Sequence, residues 1–312
     1  MKNIIEKAIQ GEPRSIARLI TMVENESASS VDIMRSIYTR SGKAHLIGVT
    51  GSPGAGKSTL LDKLITNISR SGLSIGVIAV DPSSPFTGGA VLGDRLRMQN
   101  HSLDPDVFIR SMGTRGSLGG VSRGTYEAAM ILDACGKDVV LIETVGVGQS
   151  EIDIMKIADT VVLVLVPGMG DDIQIMKAGI MEIADIFIVN KSDRDGSERI
   201  VREVNMMLDL QGEKPWRPPV IPTIAENGDG VDMAAKAISD HRTFLERSSE
   251  GQRRKLARAR LEVEEVLRRE IAKIAEKAWD RQISGDVLED LAARINDPYT
   301  VAYELLSKII SI

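Results

Sequence analysis

A glycine-rich stretch near the start of the chain carries the residue types that bind a phosphate group. Residues 51–59 have the sequence GSPGAGKST and match the phosphate-binding loop pattern G-x-x-x-x-G-K-[ST] in full. The glycines let the backbone turn its N–H groups toward a phosphate, and the helix predicted to follow adds the positive end of its dipole. Lys57 is expected to contact the β- and γ-phosphates, and the Ser58 hydroxyl is placed to bind Mg²⁺. The residues predicted to hold the phosphates are Gly51, Ser52, Pro53, Gly54, Ala55, Gly56, Lys57, Ser58 and Thr59.

Acidic residues follow two later apolar runs and are candidates for a magnesium site. Asp81 comes directly after one run and Asp94 lies downstream of it, whereas Glu143 ends another run. Mg²⁺ prefers oxygen ligands and keeps several waters, so these carboxylates can bind the ion or its waters. Glu143 has the position of the second metal-binding element of P-loop nucleotidases, where aspartate is commoner. For Asp81, a capped loop that satisfies backbone N–H groups is the alternative.

Further residues bear on the terminal phosphate and on its hydrolysis. Arg97 is a candidate to reach a terminal phosphate, and the N–H of Gly146 can approach a γ-phosphate. Residue 147 is a valine where familiar small G proteins have a glutamine that positions the attacking water, so intrinsic hydrolysis is expected to be slow. Gln149 and Glu151 are the nearby alternatives for that task.

Of three glycine-containing segments, one is a candidate switch and the other two each allow two interpretations. Segment 85–93 is a candidate switch, and residues 113–120 form either an anion-binding loop or a tight turn. After residue 166 the chain runs through a loop to Lys177, which is a candidate catalytic residue if this loop moves with the nucleotide state. The alternative is an ordinary helix start, with Asp171 and Asp172 favourable near the dipole.

The sequence NKSD at residues 190–193 fits the guanine-specificity pattern N-K-x-D. The carboxylate of Asp193 can accept both N1–H and N2–H of guanine, whereas adenine offers neither donor on that edge. A site built in this way can reject the wrong base by roughly 10⁴-fold or more. A later backbone N–H is a candidate to contact the guanine O6. The residues predicted to bind the base are Asn190, Lys191, Asp193, Ile224, Ala225 and Glu226.

The elements that position these residues are predicted from hydrophobic patterning. Short runs rich in β-branched residues alternate with helical patterns, which is typical of a doubly wound, mainly parallel α/β sheet whose ligands bind at the carboxyl ends of the strands. We expect a helical extension over 1–43, a P-loop domain over 44–230 and helices over 231–312 that break at Gly251, at Gly285 and near Pro298. The predicted strands are 45–50, 75–80, 107–110, 139–143, 161–166, 186–190 and 220–224.

Composition limits the class of protein. Of the 312 residues 43% are hydrophobic but only 3% aromatic, so the core is expected to be aliphatic. A net charge of −5 argues against a general nucleic-acid binder. One cysteine and three histidines exclude an internal disulfide and leave no ligand cluster for zinc or nickel. With no long apolar run and no secretory signal, we expect a cytoplasmic protein without membrane segments.

Taken together, these motifs resemble the methylmalonyl-CoA mutase-associated GTPases (the ArgK/MeaB family) among the metallochaperone-type P-loop GTPases. Besides the phosphate loop and the guanine motif, residues 80–85, 89–98, 115–120 and 143–151 carry the resemblance, which covers nearly the whole chain. One departure is Ile224, where the family commonly has serine, so only a backbone contact can be retained there.

The resemblance implies GTP hydrolysis coupled to an adenosylcobalamin-dependent acyl-CoA mutase. Such a protein acts as a chaperone that gates cofactor loading and is stimulated by the mutase. The mutase's adenosyltransferase is a second candidate partner, and no cobalamin is expected on this chain. Loop 167–177 resembles a third switch that responds to the mutase, and the C-terminal helices resemble a dimerisation arm, which implies a homodimer. The Mg²⁺ site implied by the family is lined by Ser58, Asp81, Asp94 and Glu143, with Thr144 beside it.

Three other functions compete with this interpretation. A metal-delivery GTPase for hydrogenase or urease would need cysteine or histidine ligands near the nucleotide. The single cysteine and three histidines of the sequence argue against such a cluster. A small-molecule kinase would use ATP and need an acceptor pocket. A structural subunit would bind nucleotide without turnover.

Overall fold

The structure is a computed structural model. It describes residues 1–81, 98, 101, 103–113, 123–144, 154–168, 183–283 and 285–310. The chain divides into two compact units, Met1–Gly251 and Gln252–Ile312.

A parallel sheet of seven strands forms the centre of the first unit. All neighbouring strands pair in parallel, and four of them are buried along their whole length. Runs of β-branched residues suit such strands, because helices cover both faces of the sheet. The predicted doubly wound α/β fold is therefore confirmed. In the order β3-β2-β4-β1-β5-β6-β7 the sheet contains β1 (His45–Gly51), β2 (Ile75–Asp81), β3 (Val107–Gly113), β4 (Val139–Glu143), β5 (Thr160–Leu165), β6 (Ile186–Asn190) and β7 (Val220–Thr223).

Helices cover the two faces of the sheet with separate apolar clusters. The clusters share β4, where Leu141 packs on one face and Ile142 on the other. Ile142 belongs to the cluster with the three N-terminal helices and the helix before β4, whereas Leu141 packs with the helices that follow β1 and β7. The described helices of this unit are α1 (Lys2–Ile9), α2 (Pro13–Glu24), α3 (Ser30–Tyr38), α4 (Lys57–Ser69), α5 (Arg123–Ala134), α6 (Ser197–Leu210) and α7 (Val231–Arg247).

A half-buried ion pair and a buried carboxylate attach the N-terminal segment to the sheet domain. Arg110 of β3 donates to Glu24 Oε2 of α2 at 2.9 Å. At the entry to β1, the Asp133 carboxylate of α5 accepts the backbone N–H groups of Lys43 at 3.2 Å and Ala44 at 3.0 Å, and also that of Gly42. One carboxylate thus satisfies three successive donors that the sheet does not pair.

A polar network is buried at the amino edge of the sheet. The Thr160 hydroxyl lies 2.7 Å from His45 Nε2 and 2.8 Å from His241 Nδ1, so it links β1, β5 and α7. His241 Nε2 lies 3.4 Å from Asp185 Oδ1, and the other oxygen of Asp185 accepts the N–H of Val161 at 2.9 Å. A buried hydroxyl between two imidazoles is satisfied only if it donates to one ring and accepts from the other.

Burial lowers the pKa of His45 to about 4. The positive charge of Arg242 and the neighbouring His241 lower this pKa further, whereas Asp159 and Glu246 oppose the shift. His45 is therefore neutral at pH 7.

The C-terminal helices differ from the prediction at one break. Helix α8 (Ser249–Gln282) runs through Gly251, which was predicted to end a helix, and the chain instead breaks at Ser248 with ψ 157°. A Cβ at residue 251 would lie 2.0 Å from the carbonyl oxygen of Leu245, so the glycine allows close backbone packing. Helices α9 (Gly285–Ala292) and α10 (Pro298–Ile310) follow. Among the described residues, no helix has both the length and the apolar character needed to span a bilayer.

Candidate functional site

The phosphate-loop residues lie at the carboxyl edge of the sheet, between β1 and α4. Gly51 and Gly56 have φ of +144° and +87°, which glycine adopts without strain. Both are also crowded, because a Cβ would meet the Val164 carbonyl oxygen at 2.2 Å at residue 51 and Asn190 Nδ2 at 2.4 Å at residue 56. These two positions explain why the loop needs glycine.

The lysine of this loop is oriented by the loop's own backbone. Lys57 is 6% exposed, and its ammonium group donates to the carbonyl oxygens of Gly51 at 2.8 Å and Ser52 at 3.0 Å. The cation is thus held where the predicted phosphates would bind, and a phosphate oxygen can accept its hydrogen bonds in the same way.

Two predicted metal ligands are in direct contact. The Ser58 hydroxyl donates to Glu143 Oε1 at 2.7 Å, and both side chains are buried. Beside them, the Thr144 hydroxyl donates to the Thr50 hydroxyl at 2.9 Å. Within the described residues no group of three histidine, cysteine, aspartate or glutamate side chains forms a cage for a metal ion. Hard oxygen donors from one carboxylate and one hydroxyl fit Mg²⁺, which takes its remaining ligands from water and phosphates.

The predicted base motif is joined to the phosphate loop by Asn190. This side chain is 2% exposed and donates from Nδ2 to the carbonyl oxygen of Ala55 at 2.8 Å. Its Oδ1 accepts the N–H of Ala225 at 3.0 Å and the hydroxyl of Thr223 at 3.2 Å. Lys191, at φ +55°, donates from Nζ to the carbonyl oxygen of Gly54 at 2.9 Å. Three segments distant in sequence therefore meet at β6.

A pocket of about 380 Å³ opens between these segments. The phosphate loop, the predicted base motif and segment 224–226 all contribute residues to its wall. Arg194 also lines the pocket, although sequence reasoning did not select it; its position directly after Asp193 was the available signal. The pocket is lined by Gly54, Gly56, Thr59, Asn190, Lys191, Asp193, Arg194, Ile224, Ala225 and Glu226.

Several predicted residues stay predictions. Asp81 ends β2 at the same sheet edge, where its backbone pairs with β3. The candidate switch 85–93, loop residues 114–120 and residues 169–177 lie outside the described residues. So do the candidates Asp94, Arg97, Gly146, Gln149, Glu151 and Lys177.

The single cysteine does not take part in this site. Cys135 is 7% exposed, on the turn after α5, and burial raises the pKa of its thiol to about 12. A thiol that stays protonated is neither a nucleophile nor a metal ligand at neutral pH.

Comparison with known proteins gives consistent matches. The family model for the methylmalonyl Co-A mutase-associated GTPase MeaB matches residues 16–280. A protein of Pyrococcus horikoshii that is named as a GTPase is 52% identical over 314 residues, covering 98% of each chain. GTPase ArgK of Escherichia coli is 39% identical over 250 residues, covering 77% of this chain and 76% of ArgK. The crystal structure of a LAO/AO transport system kinase superposes with a TM-score of 0.67 at 27% identity, covering 100% of this chain and 97% of that one.

Proposed function

Since the chain belongs to the methylmalonyl-CoA mutase-associated GTPase (MeaB) family, we propose that it binds and hydrolyses GTP as a chaperone of an adenosylcobalamin-dependent acyl-CoA mutase. Its GTPase domain spans residues 44–230, and the C-terminal helical region 231–312, whose helix α7 packs with the sheet, also mediates a homodimer. The protein acts in the cytoplasm, and the mutase's adenosyltransferase is a second candidate partner.

One observation carries this proposal. Asn190 is hydrogen-bonded to the phosphate loop at Ala55 and to segment 224–226 at Ala225. Residues predicted to bind the phosphates and residues predicted to bind the base therefore line one pocket. Asp193 lines the same pocket, and its carboxylate would accept the two donors of a guanine edge.

The chemistry follows from the residues around the loop. Lys57 and the N-terminus of α4 supply positive charge to the β- and γ-phosphates. Ser58 and Glu143, already 2.7 Å apart, would hold Mg²⁺, with Asp81, Asp94 and Thr144 completing its surroundings. The bound ion would neutralise charge that develops on the phosphates.

The proposed partner supplies what the chain lacks. Val147 cannot orient a water, so Gln149, Glu151 or Lys177 is left to do so when the mutase is bound. Arg97 and the N–H of Gly146 would then contact the terminal phosphate. Slow GTP hydrolysis by the chain alone and faster hydrolysis with the mutase would let the nucleotide state control when the cofactor is loaded.

Nucleotide preference tests the first half of the proposal. Phosphate release is measured with GTP and with ATP for the wild type, Asp193→Asn and Asp195→Asn. We expect turnover of GTP only, and we expect Asp193→Asn to shift preference toward xanthosine triphosphate, because an amide no longer accepts two donors. Asp195→Asn is the matched control, since it removes another carboxylate of the same turn that is not predicted to bind the base. Preference for ATP would instead indicate a kinase.

Stimulation by a mutase tests the second half. GTP hydrolysis is measured with and without the purified adenosylcobalamin-dependent mutase of the same organism. A rate increase is expected in the wild-type chain and none in Lys57→Ala, which should fold but not turn over. An unchanged rate with every such mutase would contradict the chaperone role and leave the GTPase assignment intact.

A further inference from the structure

Arg194 is a charged residue of the pocket that no motif assigns. It lines the pocket together with Lys191, Asp193 and Glu226. Lys191 is occupied, because its ammonium group donates to the carbonyl oxygen of Gly54 at 2.9 Å. The guanidinium of Arg194 has no hydrogen-bond or ion-pair partner within the part of the chain that the structure describes.

The lack of a partner is unusual among the neighbouring arginines. Arg199 pairs with Glu203 at 2.7 Å, and Arg202 pairs with Glu198 at 3.5 Å. Arg217 pairs with Asp209 at 2.7 Å. Acidic residues thus pair with these three arginines, whereas Arg194, which lines the pocket, has no such pair among the residues that the structure describes.

The backbone of Arg194 is held in place. Its N–H donates to the carbonyl oxygen of Lys191 at 3.0 Å, and its own carbonyl oxygen accepts the N–H of Ser197 at 3.3 Å. The side chain therefore starts from a closed turn between β6 and α6, directly beside Asp193. Since the backbone is already fixed, only the rotamers of the side chain have to be ordered when it contacts a ligand.

We propose that the Arg194 guanidinium packs on the face of the guanine base whose edge Asp193 binds. This inference rests on the proposed function. Arg194 follows Asp193 directly in the chain and lines the pocket together with the base motif and segment 224–226, whereas the proposed phosphate contacts are Lys57 and the start of α4. A planar guanidinium stacks on aromatic faces, which an ammonium group does less well.

The test compares nucleotides that differ only in phosphate number. Dissociation constants for GMP, GDP and GTP are measured by calorimetry for wild type, Arg194→Ala and Arg194→Lys. We expect Arg194→Ala to raise the dissociation constants of all three nucleotides by the same factor, about threefold to fivefold. Arg194→Lys should lie between Arg194→Ala and wild type. The matched control is Arg199→Ala, which removes a paired arginine on α6 and should change nothing.

The outcomes separate this inference from the function on which it rests. If wild type binds no guanine nucleotide, both are wrong. If wild type binds GDP and Arg194→Ala binds it equally well, only the inference is wrong. A factor that grows from GMP to GTP would show that Arg194 contacts phosphate and would also overturn the base-face assignment. Equal melting temperatures would show that the variants are folded.

Discussion

Replacing Gly56 by alanine tests the junction between the phosphate loop and β6. Gly56 and Gly136 have the same φ of +87°, but a Cβ at residue 136 meets nothing within 4 Å. A left-handed conformation costs an alanine about 1–2 kcal/mol, and this strain is common to both positions. A Cβ at residue 56 would also lie 2.4 Å from Asn190 Nδ2. Ordinary contact would require the amide to move by about 1 Å.

The movement has a predictable energetic consequence. It breaks the 2.8 Å hydrogen bond from Asn190 to the buried carbonyl oxygen of Ala55. Leaving such a group unsatisfied costs about 1–3 kcal/mol. We therefore expect Gly136→Ala to lower the free energy of unfolding by about 1–2 kcal/mol and Gly56→Ala by about 2–5 kcal/mol. Nucleotide affinity should fall only for Gly56→Ala.

The assay follows the first unit alone. In a Trp279→Phe background Trp216 is the remaining tryptophan, and its fluorescence reports unfolding of Met1–Gly251 in urea. Gly56→Ala and Gly136→Ala are each measured with and without Asn190→Ala. The extra destabilisation at residue 56 should disappear when Asn190 is already truncated. Equal losses for the two glycines in the presence of Asn190 would refute the reasoning.

Two further predictions concern buried ionisable side chains outside the pocket. Because the folded-state pKa of His45 is about 4 and its ordinary value is 6.5, the unfolded chain binds more protons between these pH values. Stability should therefore fall by about 3 kcal/mol as pH drops from neutral to 4, and His45→Gln should remove that part of the slope in urea titrations. Asp133→Ala leaves the N–H groups of Gly42, Lys43 and Ala44 without their acceptor. It should destabilise the chain by about 2–4 kcal/mol and speed amide exchange at residues 42–44, whereas Asp133→Asn should cost less.

The strands could be predicted because their signal is local. Aliphatic residues without alternation mark strands covered on both faces, and Val139–Glu143 and Ile186–Asn190 have the predicted ends. The meeting of Ser58 and Glu143 also follows from sequence. Since parallel strands end at one edge, residues after β1 and at the end of β4 are brought together there.

Contacts between distant segments could not be predicted in the same way. Asp133 is an ordinary helical aspartate in sequence, and only packing of α5 brings it to the backbone of residues 42–44. His45 and His241 carry no motif, and their shared partner Thr160 becomes evident only after β1, β5 and α7 are assembled. Gly251 shows the opposite error, because a glycine selected for close packing was interpreted as a helix break.

Asn190 explains why the two ends of the pocket are not independent. Its amide nitrogen bonds the phosphate loop, while its oxygen bonds Thr223 and Ala225 on the other side. Both groups belong to one rigid planar amide, so a displacement of the loop at Ala55 must rotate or shift the acceptor that holds segment 224–226. Truncation of Asn190 should therefore lower the affinity of the protein for both GMP and inorganic phosphate, although only the base motif is altered. If phosphate binding were unchanged in Asn190→Ala, the two ends would be separate sites.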